Sequence, residues 1–268
     1  MSTYAQPVVD AAALRERVQE MYRDVAEQPG GDFHFETGRA VAERLGYPAC
    51  WLDAVAPDAL ASFAGVGHML DLAAIEPGET VLDLGSGSGT DAFIAAQLTG
   101  PTGRVIGVDM TDAQLAKSRR LRDGLGLQHV AFVEGLIEEP PVQPGSVDVV
   151  ISNGVINLAP DKDAVFHAVA RALRPGGRLA VADIVSAREL IEPTRRNVSL
   201  WAACIAGAVP HDQYLGAIEA AGLRVETVRP NSAYRFLSPR ARAAADKYGV
   251  ASVSVLATKP VDPQSETP

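Results

Sequence analysis

The chain is short of cysteine and of positive charge. Its 268 residues include two cysteines, Cys50 and Cys204, so neither a disulfide framework nor a C-x-x-C pair is predicted. The formal net charge is −9, and no basic stripe offsets it. Because nucleic-acid binding relies on clustered lysine and arginine, these features argue against an rRNA, tRNA or DNA partner.

Long hydrophobic runs are also missing. No apolar stretch approaches the roughly 18 residues of a membrane span, and the N-terminus lacks a basic start followed by an apolar run. We therefore expect no membrane partner, no signal peptide and a cytoplasmic protein. The content of 47% hydrophobic and 21% charged residues is typical of a globular protein, and the length suits one large α/β domain with additions.

What the chain does contain is a short strand followed by three glycines at alternate positions. Residues 81–84 are mostly apolar and predict a buried strand, and Gly85, Gly87 and Gly89 follow it. Residues 93–98 then open a helical pattern. A strand, a glycine turn and a helix form the first half of a βαβ nucleotide-binding unit, in which the backbone turns sharply and a ligand approaches it closely.

The glycine spacing and two acids indicate the kind of ligand. In the dinucleotide pattern G-x-G-x-x-G the third glycine would stand at Thr90, but here it stands at Gly89. Asp83, just before the turn, would repel a pyrophosphate and attract an ammonium or sulfonium group. Asp109 ends the next predicted strand, where a carboxylate accepts hydrogen bonds from ribose hydroxyls. S-adenosylmethionine, with a ribose, a cationic end and no pyrophosphate, fits this description.

Four segments carry a family resemblance: residues 83–89 (DLGSGSG), 100–111 (GPTGRVIGVDMT), 151–158 (ISNGVINL) and 174–178 (RPGGR). They resemble motifs of the class I S-adenosylmethionine-dependent methyltransferases, and within them the arsenite methyltransferase branch. The resemblance covers roughly residues 60–225. It implies a Rossmann-like α/β fold with a doubly wound, mostly parallel seven-stranded sheet, S-adenosylmethionine as cofactor and S-adenosylhomocysteine as product.

The order of predicted elements agrees with that fold. From residue 80 to residue 184, strands alternate with helices of 10–15 residues, which indicates parallel strands with right-handed crossovers. The last predicted strand, residues 250–258, is expected to be an antiparallel edge strand. In the N-terminal part, helices are predicted from residue 10 to the turn at 28–31, over 37–45 and over 49–63. We divide the chain into an N-terminal helical cap (1–70), a methyltransferase domain (71–260) with a lid insertion after strand five (186–210), and a tail (261–268).

The resemblance also implies which residues form the site. It implies that the first cap helix folds over the cofactor and brings Tyr22 to it. Packing in the helix seam is the alternative for Tyr22. It implies that residues 135–138 lie along the adenine. The candidate cofactor-binding residues are Asp83, Gly85, Ser86, Gly87, Gly89, Asp109, Met110, Gly135, Leu136, Ile137 and Asn153.

Candidate catalytic residues are Asn153, Asn157, His68 and Tyr22. The two asparagines follow the fourth predicted strand, where acceptor and methyl group should meet, since ligands bind outside the carboxyl ends of parallel strands. Helix capping and turn hydrogen bonding are the alternative for both. His68 titrates near neutrality and could accept a proton from a hydroxyl or amine acceptor, or be an ordinary surface or capping histidine. No metal ligand is predicted.

The acceptor question depends on cysteine. In the arsenite branch that the chain resembles, three cysteines hold trivalent arsenic. This chain has Val66 and Gly154 at two of those positions and keeps only Cys204. We therefore expect methyl transfer to O, N or C of a small organic acceptor. Arsenite methylation and non-catalytic cofactor binding are the alternatives. The chain is expected to be a monomer or a homodimer.

Overall fold

The computed structural model describes residues 10–192, 201, 205–237 and 239–261. The helices are α1 (Ala11–Glu27), α2 (Arg39–Leu45), α3 (Ala49–Asp53), α4 (Pro57–Ala61), α5 (Leu70–Ala73), α6 (Thr90–Thr99), α7 (Asp112–Leu125), α8 (Lys162–Ala172), α9 (His211–Ala220) and α10 (Pro239–Tyr248). The strands are β1 (Thr80–Leu84), β2 (Arg104–Asp109), β3 (Val130–Glu134), β4 (Val147–Asn153), β5 (Leu173–Val185), β6 (Arg224–Pro230) and β7 (Ala251–Thr258). A 3-10 turn spans Ile156–Leu158. None of these helices is long and apolar enough to cross a membrane.

The seven strands form one sheet in the order β3-β2-β1-β4-β5-β7-β6. Strands β1 to β5 pair in parallel, and β7 runs antiparallel to both of its neighbours. The order reverses at β1, so helical connections lie on both faces of the sheet. The predicted doubly wound, mostly parallel seven-stranded fold is confirmed.

The predicted position of the last strand is wrong. β7 is antiparallel as expected, but it lies between β5 and β6 and is not an edge strand. It pairs with β5 on one side and with β6 on the other, and its central residues from Ser252 to Val255 are buried. β6 takes the edge instead, and its charged residues Arg224, Glu226 and Arg229 suit a strand that borders solvent.

Each face of the sheet has its own hydrophobic core. On one face, residues such as Val81 and Val149 pack with α6, α7 and the N-terminal helices, including Leu14 and Val18 of α1. On the other face, Leu82 and Val150 pack with residues of α8 and α9. The N-terminal helices therefore share a core with the sheet and do not form one of their own.

The N-terminal helices follow the predicted pattern with one correction. α1 begins after Asp10, whose carboxylate accepts a hydrogen bond from the backbone N–H of Ala12 at 2.9 Å. The helix predicted over residues 49–63 is two short helices, α3 and α4. The second helix starts at Pro57, because proline has no N–H for a continuing helix and suits the first helical position.

Some segments of the second half of the chain differ from the prediction, and others lie outside the described residues. β5 begins at Leu173, earlier than the predicted residue 178, because Leu173 already pairs with Val147 ahead of an irregularity in the register. The long connection before β7 contains α10. Much of the predicted insertion 186–210, with Cys204, lies outside the described residues, as do residues 1–9 and most of the predicted tail, and the lid and the domain limits stay predictions.

The core between β-sheet, α8 and α9 offers a direct test of this packing. Phe166 of α8 is fully buried, and its ring contacts Tyr214 of α9 edge to face at 5.2 Å between centroids. Phe166→Ala should lower the free energy of unfolding by about 3–5 kcal/mol, because it removes buried area and leaves a cavity. His167→Ala, at the adjacent exposed position of α8, is the control and should change it by less than about 0.5 kcal/mol. Equal effects in urea unfolding would contradict the packing described.

Candidate functional site

A large pocket opens at the carboxyl ends of β1, β2 and β4, with an empty volume of about 1020 Å³ including its mouth. Residues from the glycine turn, from the ends of the three strands, from the segment after β3 and from α1 line it. This is the place where open parallel sheets bind their ligands.

The glycine turn forms the floor of the pocket. Gly85 has a φ of +72°, and a Cβ there would lie 2.3 Å from a methyl group of Val155, so a larger residue would both strain the backbone and clash. The backbone N–H of Gly87 donates to Asp109 Oδ2 at 2.9 Å. The backbone N–H of Thr111 donates to Asp109 Oδ1 at 2.8 Å. These two bonds fix the Asp109 carboxylate, which is half-buried at the end of β2.

Four carboxylates line the pocket: Glu138, which is paired with Arg15, and three near the glycine turn, Asp83, Asp91 and Asp109. Asp83 is 2% exposed, and its Oδ2 atom has no hydrogen-bond partner among the described residues. Burial, with the nearby negative charges of Asp91 and Asp109, raises the pKa of Asp83 well above its ordinary value. Burial also raises the pKa of Asp91 to about 6 and raises that of Asp109, where the backbone N–H groups of Thr111 and Gly87 oppose the rise. The pocket therefore favours a cation.

Asn153 links the end of β4 to the loop over residues 65–67. Its Oδ1 atom accepts the backbone N–H groups of Val66 at 2.8 Å and Gly67 at 3.3 Å. Its Nδ2 atom lies within hydrogen-bond distance of Gly67 O, Tyr47 Oη and Asp91 Oδ2, at 3.0, 3.0 and 3.1 Å. Both ends of the amide are occupied, so the main role of Asn153 in this structure is to hold the loop against the pocket.

Helix α1 closes one side of the pocket. Arg15 forms an ion pair with Glu138 at 3.0 Å across the mouth. Gln19 Nε2 donates to the carbonyl of Met110 at 2.8 Å, and Gln114 Nε2 donates to the carbonyl of Tyr22 at 2.8 Å. Gln114 also accepts from Ser88 Oγ at 2.5 Å, so it joins α1 to the glycine turn. The first helix thus lies over the pocket through polar contacts at both sides.

Most of the predicted site residues line this pocket. The structure brings together Tyr22, Asp83, Gly85, Ser86, Gly87, Asp109, Met110, Gly135, Leu136, Ile137 and Asn153. Their proximity supports the predicted grouping, and their individual roles remain predictions.

Gly89, Asn157 and His68 do not line the pocket. A Cβ on Gly89 would lie 2.8 Å from Phe93 and Phe132, so this glycine serves the packing of α6 on the sheet. The 3-10 turn directs Leu158 to the pocket and buries Asn157 beside Gly207, with its N–H on Asp183 Oδ2 at 2.8 Å.

His68 is buried between two aromatic rings, away from the pocket. Its ring lies 4.5 Å from that of Tyr47 and 5.8 Å from that of Trp51, between centroids. Burial lowers its pKa, with Asp71 opposing and Arg229 adding to the effect. The proposed role of His68 as a base is not supported by this position, because a base must reach the proton that it accepts.

Sequence reasoning missed Asp91, Tyr47 and Gln114. Asp91 had a local signal, since it is an acid in the first turn of the helix that follows the glycines. Tyr47 and Gln114 had none, because each reaches the site from a distant segment of the chain.

Comparison with known proteins identifies the family. Residues 75–227 match the methyltransferase domain family. The chain belongs to this family. It is 39% identical over 235 residues to the arsenite methyltransferase of Halobacterium salinarum, an alignment that covers 82% of this chain and 60% of the relative. The predicted family, with its resemblance to the arsenite methyltransferase branch, is confirmed.

Solved structures support the same assignment. The arsenic(III) S-adenosylmethionine methyltransferase from Chlamydomonas reinhardtii has a TM-score of 0.61 at 30% identity, with 84% of this chain and 75% of that chain covered. A geranyl diphosphate C-methyltransferase from Streptomyces coelicolor has a TM-score of 0.66 at 18% identity, with 92% and 97% covered, and shares the fold. The methyltransferase chain spans 60% or less of the curated arsenite methyltransferases that it matches.

The buried Asp83 should lower the stability of the ligand-free protein as pH rises. A carboxyl whose pKa is raised by folding binds its proton more tightly when folded, so its contribution to stability is complete below its ordinary pKa of 3.8 and is lost as pH rises through its raised pKa in the folded state. Asp83→Asn should therefore raise the free energy of unfolding at pH 8 by about 1–3 kcal/mol and change it little at pH 4. Urea unfolding at the two pH values measures this. A gain that is the same at both would contradict the charge argument.

Proposed function

We propose that the protein transfers a methyl group from S-adenosylmethionine to a small organic acceptor. The observation that carries the proposal is the carboxylate-lined pocket at the glycine turn, in which the buried Oδ2 atom of Asp83 lacks a hydrogen-bond partner among the described residues. A cationic ligand would satisfy that oxygen. The cofactor supplies an activated methyl group and a good leaving group, so the protein mainly positions the two reactants and excludes water.

The residues of the pocket suggest how this cofactor would be held. Asp109 would accept hydrogen bonds from the ribose hydroxyls, as an acid at the end of the second strand does in related nucleotide sites. Asp83 and Asp91 would balance the positive charge. The segment from Gly135 to Ile137 offers an apolar wall for the adenine. Helix α1, held by the Arg15–Glu138 ion pair, would exclude water from the reacting groups.

The acceptor side supports an organic molecule. None of the described residues that line the pocket is a cysteine, and Cys50 is exposed on α3. Val66 faces Gly154, where a Cβ would lie 3.1 Å from a Val66 methyl group, so these two positions pack against each other beside the pocket. Phe63, Leu158 and Ala159 form an apolar part of the pocket lining. Such a wall suits a small acceptor with apolar groups.

Arsenite is the second candidate acceptor. The observation that favours it is the identity with arsenite methyltransferases, 39% with that of Halobacterium salinarum and 40% over 138 residues with the human enzyme. Trivalent arsenic binds thiolates, and Cys204 is the one cysteine at a position that the family resemblance connects with arsenic. Methyl transfer to arsenite would then need a second thiol, either from an added small molecule or from Cys50.

Asp109→Ala should weaken S-adenosylmethionine binding about 10- to 100-fold, because it removes charge-assisted hydrogen bonds to the ribose. Asp112→Ala, an exposed acid at the start of α7, is the matched control and should bind within about twofold of the parent chain. Isothermal titration calorimetry measures both. Unchanged affinity in Asp109→Ala would contradict the ribose assignment.

Methyl transfer itself identifies the acceptor. With S-adenosylmethionine labelled in the methyl group, we expect turnover of at least one member of a panel of small phenols, amines and prenylated metabolites, and no methylated arsenic from arsenite plus thiol. Methylated arsenic that disappears in Cys204→Ser would favour the second candidate. Absence of any transfer despite tight cofactor binding would contradict an enzymatic role.

A further inference from the structure

Tyr47, from the segment between α2 and α3, contacts two residues that line the pocket. It is 3% exposed, although its hydroxyl is polar. That hydroxyl donates to Asp91 Oδ1 at 2.6 Å and accepts from Asn153 Nδ2 at 3.0 Å. Asp91 and Asn153 both line the pocket, whereas Tyr47 does not. The hydroxyl therefore acts on the pocket through two residues that a ligand would contact.

We propose that Tyr47 is a positioning residue of the cofactor pocket. Its hydroxyl holds the Asp91 carboxylate and the Asn153 amide in the arrangement that binds the positively charged end of S-adenosylmethionine. The inference rests on the proposed cofactor function and adds to it a residue that contacts neither reactant.

The ring of Tyr47 is fixed on two sides. Its centroid lies 5.3 Å from that of Phe63 in an edge-to-face contact and 4.5 Å from that of His68. Its hydroxyl also lies 3.9 Å from Met69 Sδ. Because the ring cannot move freely, the hydroxyl presents a fixed donor to Asp91. A phenylalanine in the same position would keep the packing and lose that donor and the acceptor for Asn153.

The hydrogen bond from Tyr47 lowers the pKa of Asp91 and so favours its charged form. The groups that face Asp91 are Tyr47, the neutral amide of Asn153 and, from β1, Asp83. Behind these lie His68, beside the Tyr47 ring, and Asp109, beside Asp83. Burial raises the pKa of Asp91 to about 6, and the bonds from Tyr47 and Asn153 oppose the rise. Loss of the hydroxyl would therefore leave Asp91 protonated, and uncharged, to a higher pH.

The same hydroxyl also bears on the loop over residues 65–67. Asn153 holds that loop through Val66 and Gly67, and its amino group also lies within hydrogen-bond distance of Tyr47 Oη and Asp91 Oδ2. Loss of the Tyr47 hydroxyl removes one of the three acceptors of the amino group, while those of Gly67 and Asp91 remain. The amide that joins the loop to the Asp91 carboxylate would then be held less firmly.

Tyr47→Phe tests the inference with a matched control. Tyr214→Phe removes a similar bond, since the buried Tyr214 hydroxyl donates to the buried Asp183 at 3.0 Å, away from the pocket. We expect both variants to be less stable in urea. We expect only Tyr47→Phe to weaken S-adenosylmethionine binding, by about tenfold at pH 7 in calorimetry, with a smaller loss at pH 8.5. Its pH midpoint for binding should rise by about one unit.

Three results would overturn the inference. The first is that Tyr47→Phe and Tyr214→Phe weaken binding equally. The second is that Tyr47→Phe weakens binding equally at every pH. The third is that Tyr47→Phe binds the cofactor as the parent chain does. In each case the parent chain still binds the cofactor, so the proposed function stands. A parent chain that does not bind S-adenosylmethionine overturns both.

Asp91→Asn keeps the test decisive if Tyr47→Phe does not fold. It mimics the protonated carboxyl, so we expect weaker binding and loss of the pH dependence around pH 6. A pH profile that Asp91→Asn leaves unchanged would overturn the inference.

Discussion

The burial of three carboxylates at one end of a parallel sheet is the constraint on which the rest of this site depends. Asp83, Asp91 and Asp109 come from a strand end, a helix start and a second strand end, and the fold brings them to one pocket. Buried carboxylates without a counter-charge oppose folding, and the described part of the chain relieves them only partly, through N–H groups and the Tyr47 hydroxyl. A bound cation would complete the compensation. Under the proposed function, the carboxylates would lower the stability of the ligand-free protein and raise its affinity for the cofactor.

The N-terminal helices make this arrangement useful. They share a core with the sheet, and α1 contacts the segments after β2 and β3 through Gln19 and Arg15. Water at the carboxylates would weaken every electrostatic contact in the pocket, so under the proposed function these helices would strengthen cofactor binding by excluding it. Tyr47 belongs to the same N-terminal part of the chain, and its hydroxyl joins that part to Asp91.

Much of the fold could be predicted from the sequence, because strands, glycine turns and crossover helices have local signals. The pocket floor followed for the same reason, from Asp83, the glycines and Asp109. The position of β7 could not be predicted, since a strand's neighbours are chosen by distant pairing and not by its own pattern. Tyr47 and Gln114 could not be predicted for the same reason, since each contacts the site from a distant segment of the chain. Asn157 and His68 were chosen for residue type and nearness in sequence, and the 3-10 turn and the aromatic packing direct them elsewhere.

Proton release on cofactor binding tests the central claim most directly. If S-adenosylmethionine replaces protons on the buried carboxylates, titration calorimetry at pH 6 in two buffers of different ionisation enthalpy should give different apparent enthalpies, with net release of protons. The release should be smaller with S-adenosylhomocysteine, which lacks the sulfonium charge. Equal enthalpies in both buffers, or uptake of protons, would contradict the account.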